Sequence, residues 1–346
     1  MFGKKENLIG VDIGSNSVKV LELKRKKDGY ALSNISHKEL PADVISEGTI
    51  VDYGELVNSI VEIFKKNKFS HKRVAGALKG NAVIAKRLTV ASIDAKNFDE
   101  VFRWEAEQYI QMDINEVNID YEILNKDQEV DQADVLLAVA RKDLIADMVS
   151  VLQSAKLKPE LIDLEVFSLI NAFEIGYGMD SDITSIINIG HSSLLILFVK
   201  NGLYEFSRET NFGVKDCIEL IQQRLNVNEK EATALLRDEE AVEFNEELKG
   251  VFDEFGNQLA TEVKNTFDMF YTSSHQNVLK CYICGGGSNL YNVKNNISKK
   301  TSLDVNYFNP FTNIEVDKKV DIDYLNQNMY LFNVAVGLAL RKAGDK

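Results

Sequence analysis

One unit of about twenty residues occurs twice in this chain, and that repeat constrains the fold more than any other feature. Residues 8–23, LIGVDIGSNSVKVLEL, alternate apolar side chains at Ile9, Val11 and Ile13, break at Gly14-Ser15-Asn16-Ser17, and resume with Val18, Val20, Leu21 and Leu23. Period-two alternation on both sides of a cluster of turn-forming residues reads as a two-stranded hairpin. The same shape returns from Ile186 in IINIGHSSLLILFVKNGLYEF. There Asn188 falls where Asp12 falls, Gly190 where Gly14 falls, and Ser193 where Ser17 falls. In both copies a further turn, Asp28-Gly29 or Asn201-Gly202, leads into a third strand. The two copies lie about half a chain apart, which implies a duplicated, pseudo-twofold molecule whose two hairpin turns face each other.

Such turns suit phosphate. A glycine followed by small polar residues aims successive backbone N–H groups at one point, and two of these nests face to face would clamp a polyphosphate. Asp12 can hold Mg²⁺ through water, because this ion keeps several waters and takes only one or two carboxylates. Lys19 supplies a point charge for phosphates; in the second copy its place is taken by Leu195. No G-x-x-x-x-G-K-[ST] run is present, so a P-loop is excluded. A third element, CYICGGGSNLYNVKNNI (281–297), reads as a strand, a glycine turn and a helix beginning near Ser288. Gly285, Gly286 and Gly287 would permit close backbone approach to a ring or a phosphate.

Composition narrows the partners. A net charge of −13 argues against nucleic acid, which needs clustered Lys and Arg to neutralise phosphates. The first residues, MFGKKENLIG, carry no apolar core of signal-peptide length, and the apolar stretch 183–199 is too interrupted to span a membrane. Cys281 and Cys284, three apart on a strand, should point to opposite faces, and with Cys217 they read as buried free thiols of a reducing compartment. The scattered histidines define no metal cluster or catalytic triad. Trp104 is expected to pack inside its own subdomain, and the basic run Lys24–Lys27 to form a solvated hairpin tip, with contact to an anionic membrane surface as the alternative.

Residues 82–158 read as a small α/β unit. AVIAKRLTV is strand-like, and Phe98, Val101, Phe102, Glu105 and Tyr109 sit at helical spacing with Asp94 as the cap. Residues 117–123 alternate as a half-buried strand, VLLAVA follows as another, and a helix over 142–155 closes the unit.

Together DIGSNSVK, NIGHSS and ICGGGSNL resemble the phosphate-1, phosphate-2 and adenosine motifs of the actin-like ATPase superfamily. LEVFSLINAFEIG and LFNVAVGLALRKAG resemble its two connecting helices, with small residues Ser168, Ala172 and Gly176 in one and Ala335, Ala339 and Ala343 in the other. Within that superfamily the chain is similar, end to end, to the PilM family of type IV pilus assembly proteins, most specifically over 104–124 and 134–173. Gln111 stands where that family usually has proline.

The resemblance implies an α/β, actin-like (ribonuclease H-like) duplicated two-lobe fold with an FtsA-type 1C insertion. The first lobe would take residues 1–81, 159–182 and 328–346, the insertion 82–158, and the second lobe 183–327, with a subdomain at roughly 213–272. It implies ATP and Mg²⁺ as cofactors. Asp12, Gly14, Ser15, Asn16, Ser17 and Lys19 would hold the phosphates and the metal, faced by Gly190, His191, Ser192 and Ser193. Glu262 and Asn265 would reach the ribose or adenine, Gly285, Gly286, Gly287 and Ser288 would line the adenine, and Gly213 would touch the nucleotide. Asn188 stands where relatives commonly carry a metal-ordering aspartate, so it would act on the metal only through water, and turnover should be slow. Glu165 matches the position of a water-orienting residue.

By the same resemblance the protein would be a cytoplasmic adaptor, peripheral at the inner face of the membrane. It would bind the N-terminal cytoplasmic tail of PilN in a groove between the first lobe and 82–158, with pilus motor ATPases, the inner-membrane platform protein and further copies of itself as additional partners. The alternatives are an FtsA-like filament-forming membrane tether, which the absence of a membrane helix after LALRKAGDK disfavours, and another secretion-system adaptor. A small-molecule kinase would need a catalytic base and substrate insertions that this chain does not present.

Overall fold

The computed structural model describes residues 7–46, 48–80, 83–91, 98–127 and 132–345. Two sheets carry the repeat. The first has the order Lys158–Leu164, Arg73–Leu78, Ile9–Ile13, Ser17–Lys26, Gly29–Glu39, Ile314–Val316. The second has the order Leu203–Thr210, Leu194–Lys200, Thr184–Ile189, Lys280–Cys284, Val305–Tyr307. In each, the first three strands in sequence form an antiparallel meander, and two later strands join in parallel beside the first of them. The duplication read from two short turns therefore extends to the topology of whole sheets. Strands covered on both faces read as apolar runs, and Leu194 through Val199 are all buried.

Ile314–Val316 adds to the outer edge of the first sheet, parallel to Gly29–Glu39. The chain thus returns to the first sheet before the expected boundary at residue 328. Cys281 packs in the second-lobe core and Cys284 in the core shared with the first lobe, on opposite faces of their strand as its pleat requires. Burial raises the Cys217 and Cys281 thiols to about 12, so these side chains behave as small apolar groups.

Helices Glu165–Tyr177 and Asn333–Leu340 cross between the lobes. Ser168, Ala172, Ala335 and Ala339 are fully buried at this crossing. The tightest approach belongs to Gly337, where a Cβ would overlap the Ser168 carbonyl. Ala343 lies beyond the helix end at Leu340, and Gly176 faces Asn309 and Thr312 instead.

Between Arg73–Leu78 and Lys158–Leu164 the chain builds a separate antiparallel sheet, Val83–Ala91, Gln132–Arg141, Val117–Asp127, backed by helix Phe98–Glu107. Helix Lys142–Ser154 then returns to the first lobe. The expected cap Asp94 lies outside the described residues. The buried face of the backing segment is Phe98, Phe102, Ala106 and Ile110, not the set ending at Glu105 and Tyr109. Tyr109 turns outward beneath the Lys86 ammonium, and Trp104 is 64% exposed. Trp104 therefore does not pack inside the subdomain. The insertion also touches the second lobe: the Tyr204 hydroxyl donates to the Ala85 carbonyl at 2.7 Å, and Arg87 donates to Glu205 at 2.6 Å.

Candidate functional site: a cleft floored by two facing turns

The two hairpin turns close identically. The Gly14 N–H donates to the Ser17 carbonyl at 2.9 Å and the Gly190 N–H to the Ser193 carbonyl at 2.8 Å. A Cβ on Gly190 would lie 2.9 Å from that Ser193 oxygen, so the tight closure itself demands glycine. The turns meet where the Ser192 hydroxyl donates to the Ser15 hydroxyl at 2.8 Å. Above them opens a cleft of about 1920 Å³ between the lobes, lined by Asp12 and Gly14 through Ser17, by Lys19, and by Gly190 through Ser193. The antiparallel register sets Asp12 opposite Lys19, and Lys19 Nζ lies 3.3 Å from Asp12 Oδ2. Burial lowers the pKa of His191, so its imidazole is neutral at physiological pH.

A charge cluster adjoins the turns, with Asp12 and Glu165 buried and Lys79 and Glu209 half-buried. Lys79 follows strand Arg73–Leu78, Glu165 opens the first crossing helix, and Glu209 comes from the edge strand of the second sheet. Burial works against the Lys79 ammonium, yet Glu165, Asp12 and Glu209 more than compensate and raise its pKa. Burial raises Glu165 to about 7; Lys79 opposes this, Glu209 and Asp12 add to it, and the Asn188 amide opposes it. That amide donates to Glu165 Oε1 at 2.6 Å. Asn188 thus buttresses Glu165 and does not stand free beside a metal. Glu209 also accepts the Gly80 N–H at 2.9 Å, tying the second lobe to the residue after Lys79.

Lys79 and Glu209 were not anticipated from the sequence. The usable signal for Lys79 was its position at the carboxyl end of a parallel strand, where α/β sheets gather ligands.

The glycine-rich segment does three jobs. Gly285, at φ +84°, takes a left-handed conformation and lines the cleft together with Gly286. Gly287 sits behind the second turn, its N–H bonded to the Ile189 carbonyl at 2.9 Å, with no room for a Cβ beside Ile189. Ser288 is fully buried and donates to the Gly285 carbonyl at 2.7 Å. Neither Gly287 nor Ser288 faces the cleft, and the helix starts at Val293, not at Ser288. Gly213 likewise supports the second turn from behind. A Cβ there would lie 2.6 Å from the His191 carbonyl, and the next residue, Val214, donates its N–H to the Gly190 carbonyl at 3.1 Å.

Glu262 and Asn265 do not reach the cleft. Glu262 pairs with Arg208 at 3.3 Å and Asn265 is exposed. Their helix, Glu246–Ser274, presents Lys249 and Phe252 to the cleft instead, and Glu262 lies about 20 Å further along the axis. At the cleft rim Arg237 of the second lobe pairs with Glu39 of the first at 2.8 Å.

The sequence pattern of the family described as type IV pilus assembly protein PilM matches residues 10–343. The chain belongs to the PilM family. Among solved structures it is similar to the PilM-PilN type IV pilus biogenesis complex, with a TM-score of 0.85 and 24% identity, covering 99% of this chain and 100% of that one. It is also similar to the ethanolamine utilization protein EutJ from Carboxydothermus hydrogenoformans, with a TM-score of 0.61 and 14% identity, covering 97% and 90%. The fold is the actin-like one. No described helix of this PilM-family chain is long and apolar enough to cross a membrane.

Proposed function

We propose that the chain is a nucleotide-binding adaptor of the type IV pilus inner-membrane assembly complex. It would close its two lobes on ATP with Mg²⁺ and hold the N-terminal cytoplasmic peptide of a PilN-type membrane protein. The observation that carries the nucleotide reading is the pair of identically closed turns, joined by Ser15 and Ser192 at the cleft floor. Backbone N–H groups of Ser15–Ser17 and His191–Ser193 would receive the phosphates from both sides, and Lys19 and Lys79 would supply their countercharge. Gly285 and Gly286, with Lys249 and Phe252 opposite, would border the nucleoside.

The donor set fits a hard divalent ion carried in with phosphates, because Asp12 brings a carboxylate to the cleft beside the two turns and such an ion needs only one or two. Bound there, Mg²⁺ would neutralise phosphate charge. Glu165, which accepts a hydrogen bond from the Asn188 amide, would orient a water. With an amide at 188 in place of a carboxylate, slow turnover is expected.

The partner reading rests on family membership and on likeness to a complex that contains PilN. The peptide would lie between the first lobe and the FtsA-type 1C-like insertion, placing the protein in the cytoplasm at the inner face of the membrane and in reach of the motor ATPases and the platform protein. The nucleotide half is tested by titrating a fluorescent ATP analogue with and without Mg²⁺. Saturable, Mg²⁺-strengthened binding that Gly190→Val abolishes supports it; unchanged binding in that variant refutes it.

A further inference from the structure

The end of the first sheet remote from the cleft gathers positive charge. Strand Ser17–Lys26 runs out there through Lys24, Arg25 and Lys26, all exposed. Strand Arg73–Leu78 begins there just after Lys72, and Lys158 stands opposite Arg73 in register, its N–H bonded to the Lys72 carbonyl at 2.7 Å. The pairings Gly10 with Leu21 and Ile9 with Val74 set Lys24, Arg73 and Lys158 at one level across four strands, a row about 15 Å wide at normal strand spacing. Lys156 sits in the turn that leads into Lys158. Arg73 is neutralised by Glu160. Lys24, Arg25, Lys26, Lys72, Lys156 and Lys158 form no ion pair among the described residues, in a chain whose net charge is −13.

We infer that this end of the first lobe is a contact surface for an anionic phospholipid bilayer. The row spreads across the end of a sheet over several strands, so a plane of headgroups fits it better than the single line of a nucleic-acid strand. Screening over about 8 Å at physiological salt means that such a plane feels these local cations while the distant acidic surface is damped. Docked this way, the cleft opens away from the bilayer. The surface acts directly on lipid and does not depend on the nucleotide or peptide readings.

The test is sedimentation of the full chain with phosphatidylcholine vesicles and with phosphatidylcholine vesicles containing phosphatidylglycerol. The structure predicts salt-sensitive binding to the anionic vesicles only. One variant reverses the hairpin (Lys24→Glu, Arg25→Glu, Lys26→Glu), and a second, on a separate element, reverses Lys156→Glu and Lys158→Glu. Each basic side chain near an anionic surface is worth about fivefold in partitioning, so the triple variant should lose about a hundredfold or more. Lys299→Glu with Lys300→Glu, on a second-lobe helix, should change nothing. The inference is overturned by no binding to anionic vesicles at low salt, equal binding to neutral ones, an equal loss in the second-lobe control, or tighter binding to duplex DNA than to the vesicles.

Discussion

Replacing Glu165 with glutamine should make this protein more stable at alkaline pH, although the side chain is buried and hydrogen-bonded. Burial raises the Glu165 carboxyl from 4.5 to about 7, with Lys79 opposing the shift and Glu209 and Asp12 adding to it. The folded state therefore holds a proton that the unfolded chain releases near 4.5. Stability from that protonated form is fully present below the unfolded value and is lost as pH rises through about 7. Above that, ionised Glu165 costs the fold about 3 kcal/mol, which Gln avoids while its amide oxygen can still accept the Asn188 hydrogen bond. Urea unfolding of the wild type and Glu165→Gln should thus coincide at about pH 4 and diverge towards about 3 kcal/mol in favour of the variant at about pH 8. A variant less stable than wild type at the higher pH, or a difference independent of pH, would refute the reasoning.

Further outcomes follow from other contacts. Lys79→Met removes the cation facing Asp12, Glu165 and Glu209, so stability should fall by about 1–3 kcal/mol in urea unfolding and nucleotide affinity should drop with it. Gly337→Ala should destabilise by about 3 kcal/mol or more, since its methyl meets backbone that cannot rotate away, and a lowered thermal midpoint reports this. Trp104, the single tryptophan of the chain, should emit as a water-exposed indole and be readily quenched by acrylamide, and Trp104→Ala should change stability by less than about 0.5 kcal/mol.

What was legible came from local chemistry. The turns at Gly14 and Gly190 announce themselves because alternating strands and turn residues are contiguous in sequence, and their repetition implies the shared sheet order. Gly213 and Gly287 were found for a different reason from the one that holds them: glycine marks close approach, but sequence cannot say whether ligand or neighbouring backbone does the approaching. Glu262 and Asn265 lie away from the cleft although their helix reaches it at Lys249 and Phe252, because a 29-residue helix offers many turns and periodicity carries no axial coordinate. Trp104 turned outward because helix Phe98–Glu107 buries every fourth residue, a phase that apolar spacing alone left ambiguous. Ile314–Val316, three residues long, becomes a strand only through its partner Gly29–Glu39. Lys79 and Glu209 acquire meaning only when two lobes bring them to Glu165.

The adaptor role is tested most directly by titrating the purified chain into a labelled peptide copying the N-terminal cytoplasmic segment of the host's PilN protein, with and without Mg-ATP. Saturable binding that a scrambled peptide fails to reproduce, with an affinity that shifts when nucleotide is present, is the predicted result, since a ligand that closes the lobes alters the groove only if the peptide prefers one state. Absence of binding in both conditions, by a chain that still binds nucleotide, would contradict the adaptor role.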